Sequence, residues 1–377
     1  MKLLIACLIG KLGAVFLKIL GFSASTWPGH LSLKLDPHLV EKLESRLPCG
    51  SVVVSGTNGK TTTANMIAYV LTKAGYQVIH NNLSANLLNG IATSLVLSTK
   101  LTGTYPHYGD KSVGVFEIDE AVFPKALSRF TPEVVVLLNL SRDQLDRYGE
   151  VDLLVSKWRE ALLGLERQGS FPKVVYCSDD KRLQEVVGGF PEELSCPVLK
   201  QPQFSQTNVR FAVTVASLLG VSAKRAEALL AEFRPVFGRG EAVLWHASRF
   251  HLYLAKNPQS FNENLKFWLN KAGPKTAFWL LLNDNIPDGR DVSWIWDIDS
   301  ALLFKLLRGR AVYISGRRAY DMALRLKYAG LDSNLLVVTR KVREAAENIA
   351  ATQKEVVVFP TYSAMLEVRK VLTGKRI

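Results

Sequence analysis

Apolar positions along this chain fall into two patterns, and their alternation predicts most of the architecture. Short β-branched runs without charge recur as SVVVSG, YQVIHN, SVGVFEI, EVVVLLNL and KVVYCSD between Ser51 and Asp179. Runs of this kind suit strands covered on both faces, as in a mainly parallel sheet. Between them lie segments with helical spacing, for instance Thr61–Ala74, which Gly75 closes as a C-terminal cap. A second series, FHLYLAKNP, TAFWLLLND, AVYISG, NLLVVT and EVVVFP, follows FGRGEAV and predicts a separate, smaller α/β domain. The expected organisation is an N-terminal helical segment over 1–45, a central α/β domain over 46–240 and a C-terminal α/β domain over 241–377, with the boundary near Gly238–Glu241.

The opening MKLLIACLIGKLGAVFLKILGF has the look of a secretion signal, but Lys11 and Lys18 interrupt its apolar run and GFSASTWPGH is a poor cleavage site. The same lysines make it a poor bilayer span. Lys2, Lys11 and Lys18 recur at spacings that predict an amphipathic helix, one that packs on the domain or touches a membrane surface.

With 377 residues, 48% hydrophobic and 21% charged, the chain has the composition of a folded protein of two ordinary domains. Its net charge of +13 suits an anionic partner without choosing among nucleic acid, lipid pyrophosphate and an acidic surface. No base-stacking aromatic array or nucleic-acid module accompanies that charge, so nucleic acid is not expected as a partner. Cys7, Cys49, Cys177 and Cys196 form no C-x-x-C pair, which argues against a disulfide framework and a zinc site and fits a reducing cytoplasm. Cys177 reads as a core residue at a strand end and Cys196 as a loop residue; neither has the glycine-flanked turn of a nucleophile.

The chemistry concentrates in GTNGKTT, between a buried strand ending near Ser55 and a helix beginning near Thr61. Gly56 and Gly59 let the backbone of Thr57 and Asn58 curl so that N–H groups point inward, where the next helix also directs its positive end. Polyphosphate is the ligand such a hollow takes. Lys60 can reach β- and γ-phosphates, and Thr61 or Thr62 can offer a hydroxyl to Mg²⁺. Val54 stands where the general phosphate-loop pattern has its first glycine.

GTNGKTTT, followed by FEIDEA, NLSRDQLDRYGE and FGRGE, resembles the Mur ligases, ATP-dependent amide-bond ligases of cell-wall synthesis. NNLSANLLNGI, AKNPQSFNENL, LNDNIPDGRDVSWIWDID, SGRRAYDMALRLKYAGL and PTYSAMLEVRKVL narrow this to the MurT branch, the ligase subunits of MurT–GatD lipid II isoglutaminyl synthases. The resemblance implies a Mur-type central domain followed by a Rossmann-like C-terminal domain. It also implies that ATP and Mg²⁺ serve to phosphorylate the α-carboxylate of D-glutamate in the lipid II stem peptide. Ammonia from a GatD-like glutaminase then gives D-isoglutamine, in the cytoplasm at the inner face of the membrane. Another Mur-like ligase, adding an amino acid to a soluble acid, is the alternative.

Carried onto this sequence, the resemblance gives Glu117 to Mg²⁺ together with Thr61, and Asn86, Asn139 and Gln144 to the nucleotide, with Arg142 and Asp143 beside Gln144. Mur ligases often have histidine where Gln144 stands. Arg239 resembles the arginine turned onto the γ-phosphate, a salt bridge to Glu241 being its simpler role. The resemblance also sets Lys256 and Asn257, in AKNP, beside the nucleotide; Tyr253 and Lys256 replace the acidic residue and histidine of the Mur signature, so ribose binding through that acid is lost and the lysine can instead meet phosphate or substrate carboxylate. Asp288, then Asp291, is expected to meet the glutaminase and orient its histidine; with Asp297 they sit in PDGRDVSWIWD, which reads as a presented loop. The four-cysteine zinc ribbon of many MurT proteins is missing, as is the N-terminal substrate domain of ordinary Mur ligases.

Overall fold

In the computed structural model, residues 2–22, 24–81, 85–101, 103–105, 111–140, 151–170, 172–191, 194–199, 204–233 and 239–374 are described. Three helices come first: α1 (Lys2–Ile19), α2 (Trp27–Leu35) and α3 (Leu39–Glu44). They pack on α5 (Leu88–Ser98). Small residues set that packing. A Cβ on Gly10 of α1 would lie 2.3 Å from Ser32 Oγ, and one on Gly29 of α2 would lie 2.0 Å from the Asn89 carbonyl oxygen.

The first sheet holds β1 (Ser51–Ser55), β2 (Gln77–His80), β3 (Ser112–Glu117), β4 (Val134–Leu137), β5 (Lys173–Cys177) and β6 (Ser195–Val198) in the order β2-β3-β1-β4-β5-β6, every pair parallel. β1, β3 and β4 are buried along their whole length, as their unalternating Val-rich sequences require. Helix α4 (Lys60–Lys73) packs on β1, β2 and β3, and beside it α9 (Phe204–Leu218) packs on β5 and β6. The short α6 (Phe123–Leu127) meets α7 (Val151–Arg167), which in turn meets α8 (Lys181–Val187). α10 (Ala223–Ala231) closes the unit.

After Phe233 the chain passes into a second unit with its own core. Its sheet holds β7 (Arg239–Trp245), β8 (Ser248–Tyr253), β9 (Ala277–Leu281), β10 (Val312–Ser315), β11 (Leu336–Val338) and β12 (Glu355–Pro360) in the order β11-β10-β9-β12-β8-β7. All pairs are parallel except the β7–β8 hairpin. The order β11-β10-β9-β12 is the 3-2-1-4 arrangement of a Rossmann-like fold. Residues alternate between two buried faces: Phe278 and Leu280 face α11 (Pro258–Leu269), α12 (Ser300–Leu307) and α13 (Ala319–Tyr328), while Trp279 and Leu281 face α14 (Val342–Thr352) and α15 (Tyr362–Thr373).

Candidate active site

The carboxyl ends of β1, β3 and β4 meet in the first unit, and the chain reverses its direction of winding between β3 and β4, on the two sides of β1. Ligands of open α/β sheets bind at such points. Val54 pairs with Glu117 and Ser55 with Leu137, so the loop leaving β1 is flanked by the turn after Glu117 and the turn after Leu137.

Residues 56–59 form that loop. Gly56 has φ 141° and Gly59 has φ 89°, conformations that side-chain-bearing residues avoid. At Gly56 a Cβ would meet the Asn139 backbone nitrogen and oxygen at 3.0 Å. Asn139 clasps the loop: its carbonyl accepts from Thr57 N at 2.9 Å, its Oδ1 accepts from Asn58 N at 3.0 Å, and its Nδ2 donates to Asn58 O at 2.9 Å. No side chain caps α4 at Gly59, so the helix turns an uncapped positive end toward the loop. Thr63 Oγ1, one turn into α4, is buried with no hydrogen-bond partner among the described residues. The N–H groups of Thr57 and Asn58, expected to point at a phosphate, are taken by Asn139, and it is the uncapped helix start after the glycine turn that fits a polyphosphate.

Lys60 is buried. Its Nζ donates to the carbonyls of Gly56 at 2.6 Å and Thr57 at 3.3 Å and lies 3.0 Å from Glu120 Oε2. Glu120 is buried too, and its own carbonyl accepts from Trp158 Nε1 at 2.9 Å. The ammonium is thus paired and aimed along the loop, and the pair keeps two buried charges from being uncompensated. Glu117 ends β3, buried, its backbone clamped by Asn81: Glu117 N donates to Asn81 Oδ1, and Asn81 Nδ2 donates to Glu117 O and Ala85 O. Asn86 offers its carbonyl to Asp119 N at 3.0 Å, tying the loop after β2 to the turn after β3. Burial pushes the nearby His80 imidazole below the ordinary histidine value. Oxygen donors from Thr61 and Glu117 suit Mg²⁺, a hard cation completed by phosphate and water. Among the described residues no group of three or more His, Cys, Asp or Glu side chains gathers as a metal cage of its own.

The first unit therefore brings together Gly56, Thr57, Asn58, Gly59, Lys60, Thr61, Thr62, Asn86, Glu117 and Asn139. Arg142, Asp143 and Gln144 lie outside the described residues, as does the side chain of Arg239, whose backbone begins β7 opposite Tyr253. Glu241, the residue expected to pair with Arg239 in the simpler reading, is ion-paired with Arg369 at 3.0 Å. Asn81 and the Lys60–Glu120 pairing were not assigned from the sequence. Their signal was an asparagine closing YQVIHN and a third acid in FEIDEA.

The C-terminal candidates have clear local roles. Asn257 is the N-cap of α11, its Oδ1 accepting from Ser260 N at 2.8 Å while Ser260 Oγ accepts from Asn257 N at 3.2 Å, with Pro258 in the first turn. Lys256 N also donates to Ser260 Oγ. The aspartate loop is only partly presented. Asp291, Trp296 and Asp297 are exposed, and Asp291 accepts from Ser293 N and Oγ. Asp288 instead turns inward, 5% exposed, and accepts from Ser363 N at 2.8 Å and from the Ser363 hydroxyl at the start of α15. Burial pushes its carboxyl above the usual range, against the pull of those bonds. Asn283 joins the same crevice between β9 and β12, donating from its backbone to Thr361 Oγ1 and from its amide to Ser363 Oγ and Glu367.

Comparison with known proteins bears on both units. Residues 54–208 match the family model of the Mur ligase middle domain, and residues 254–365 that of the MurT ligase C-terminal domain. The lipid II isoglutaminyl synthase (glutamine-hydrolyzing) subunit MurT of Staphylococcus aureus strain COL is 27% identical, the alignment covering 95% of this chain and 94% of that one. The subunit of the same name from Streptococcus pneumoniae R6 is 25% identical over 100% and 98%. Among solved structures, the MurF ligase of Thermotoga maritima in complex with ADP superposes with a TM-score of 0.65 at 16% identity, covering 90% of this chain and 83% of that one. That last likeness is one of fold.

Proposed function

Because the chain belongs to the Mur ligases and carries the MurT type of C-terminal domain, we propose that it is the ATP-dependent ligase subunit of a lipid II isoglutaminyl synthase. The single observation that carries this reading is the loop 56–59, held by Asn139 and leading into α4 with Lys60 aimed along it.

In this reading Lys60 and the uncapped start of α4, reached through the loop Gly56, Thr57, Asn58 and Gly59 that Asn139 holds in shape, take the phosphates of ATP, and Asn86, Asn139, Gln144, Lys256 and Asn257 border the nucleotide. Thr61 and Glu117 hold Mg²⁺, which when bound would offset phosphate charge. Arg239 is assigned to the γ-phosphate. An oxygen of the D-glutamate α-carboxylate attacks the γ-phosphorus, the bond to the bridging oxygen breaks, and ADP leaves. Ammonia then attacks the acyl carbon, gives up a proton, and inorganic phosphate departs with the C–O electron pair. The ammonia is assigned to a GatD-like glutaminase; burial raises the thiols of Cys7, Cys177 and Cys196 above the ordinary value, which leaves these three poor nucleophiles. Asp288 or Asp291 is assigned to the contact with that glutaminase. No described helix is long and apolar enough to cross a membrane, and the lipid-linked substrate places the protein at the inner membrane face.

Co-purification with a candidate glutaminase, followed by mass spectrometry of lipid II after incubation with ATP and glutamine, tests this. The stem peptide should show the small mass decrease of an acid becoming an amide, and Lys60→Ala should reduce the rate by at least about a hundredfold. An active, ATP-consuming complex that leaves the lipid II mass unchanged would refute the assignment and favour a ligase for a soluble acid.

A further inference from the structure

Helix α1 has two unlike faces. Ala6, Cys7, Gly10 and Ala14 are buried against the unit, Ser32 Oγ donates to Ala6 O at 2.8 Å, and the close approach at Gly10 leaves no slack in the seating. On the other side Leu4, Ile5, Leu8, Leu12, Val15, Phe16 and Ile19 all stand exposed, Leu12 at 59%, Phe16 at 62% and Ile19 at 77%. At the helical advance of roughly 100° per residue these seven fall in an arc about 120° wide, opposite the packed face. An unpartnered apolar stripe of that size on a rigidly held helix marks an interaction surface.

The charges decide the occupant. Lys2 and Lys18 are exposed at the two ends of the helix, whereas Lys11 turns inward and donates to Thr99 O at 2.5 Å, leaving the stripe itself uncharged. α1 contains three lysines and no acid. Pairing with a second copy would therefore set lysine against lysine with nothing to balance them. Phe22 and Trp27, next in sequence beyond the helix, are exposed as well, and such rings suit a lipid headgroup boundary.

We propose that α1 is a docking surface for a bilayer containing anionic lipid, lying in the plane of the interface with its stripe at the acyl boundary and Lys2 and Lys18 at the lipid phosphates. The helix lies on the bilayer and does not cross it. The proposal rests on the lipid II reading in one respect, that docking brings the site to a membrane-embedded substrate.

Flotation of the full-length chain with vesicles of phosphatidylcholine and phosphatidylglycerol, without substrate, is the test. The wild-type chain should float with the mixed vesicles, more weakly as salt is raised and more weakly on phosphatidylcholine alone. L12E with F16E should reduce the bound fraction at least about tenfold while leaving thermal melting and ATP-analogue binding unchanged. Should that pair unfold, L8S with L12S reads the same surface more gently. Equal flotation of wild type and variant, or no flotation of wild type, overturns the proposal; so does a dimer in sedimentation velocity that L12E with F16E dissociates. Amidation assayed in detergent micelles separates the two readings. A variant that amidates in micelles but does not float supports both, and a chain that floats but never amidates loses only the lipid II assignment.

Discussion

At the residue scale, buried polar side chains carry most of what can be measured. Glu44, in α3, is buried, and its carboxylate accepts from the Ser51 hydroxyl at 2.6 Å. Burial raises its pKa from the ordinary 4.5 to about 7, the Ser51 bond opposing the rise and Glu133 adding to it. The folded state thus holds this proton more tightly than the unfolded state. Stability from Glu44 is intact below pH 4.5, falls as pH rises through 4.5 to 7, and stays reduced above. Glu44→Gln should remove this loss, making the variant more stable than wild type at pH 8 by on the order of 3 kcal/mol and nearly equal to it at pH 4.5. Denaturant titrations across that range check the sign. Gly56 is the other sensitive position, since alanine there must adopt φ 141° and push a Cβ against Asn139. Gly56→Ala should lower stability by about 1–3 kcal/mol and weaken ATP-analogue binding, both measurable by calorimetry; an unaltered affinity would detach the loop from the nucleotide.

At the element scale, apolar runs identified β1 to β5 and β8 to β12; β1, β3, β4, β9 and β10 were the plainest because strands buried on both faces have no polar alternation to blur them. Helix α4 begins and ends within a residue of the glycine-bounded segment read from the sequence. β6 was missed: Ser195–Val198 contains a proline and lies at the sheet edge, where pairing is set by the neighbouring strand and little by its own sequence. The antiparallel β7–β8 hairpin was hidden for a related reason, because its turn at Trp245 to Ser248 uses His246 at φ 51° where a hairpin signal would have glycine or asparagine. In the site, the glycines and Lys60 were legible because their conformational and charge demands are local. The Asn81 clamp and the Lys60–Glu120 pair were not, since both join residues dozens of positions apart. Asn257 shows how one residue can answer to two readings: it was expected beside the nucleotide, and it caps α11. Asn257→Ala should cost about 1 kcal/mol of stability from the lost cap, and nucleotide titration of the same variant tells whether it does anything more.

At the scale of the whole molecule, the two units have separate cores, one built on the first sheet and one on the two faces of the second. Calorimetric unfolding should therefore resolve two transitions. An ATP analogue with Mg²⁺ at a hundredfold over its Kd should stabilise the transition of the first unit by about 2.7 kcal/mol, and Lys60→Ala should abolish that shift. One merged transition, displaced as a block, would mean that the units unfold together.

The position of Cys7 lends the N-terminal helix a built-in reporter. The thiol sits on the covered side of α1, and burial raises its pKa, so a maleimide should reach it only while the helix is peeled from its bed. Cys177, buried at the end of β5 in the first sheet, supplies an internal reference away from α1. The ratio of the two alkylation rates, followed with and without vesicles, turns the attachment of the first helix into a chemical clock.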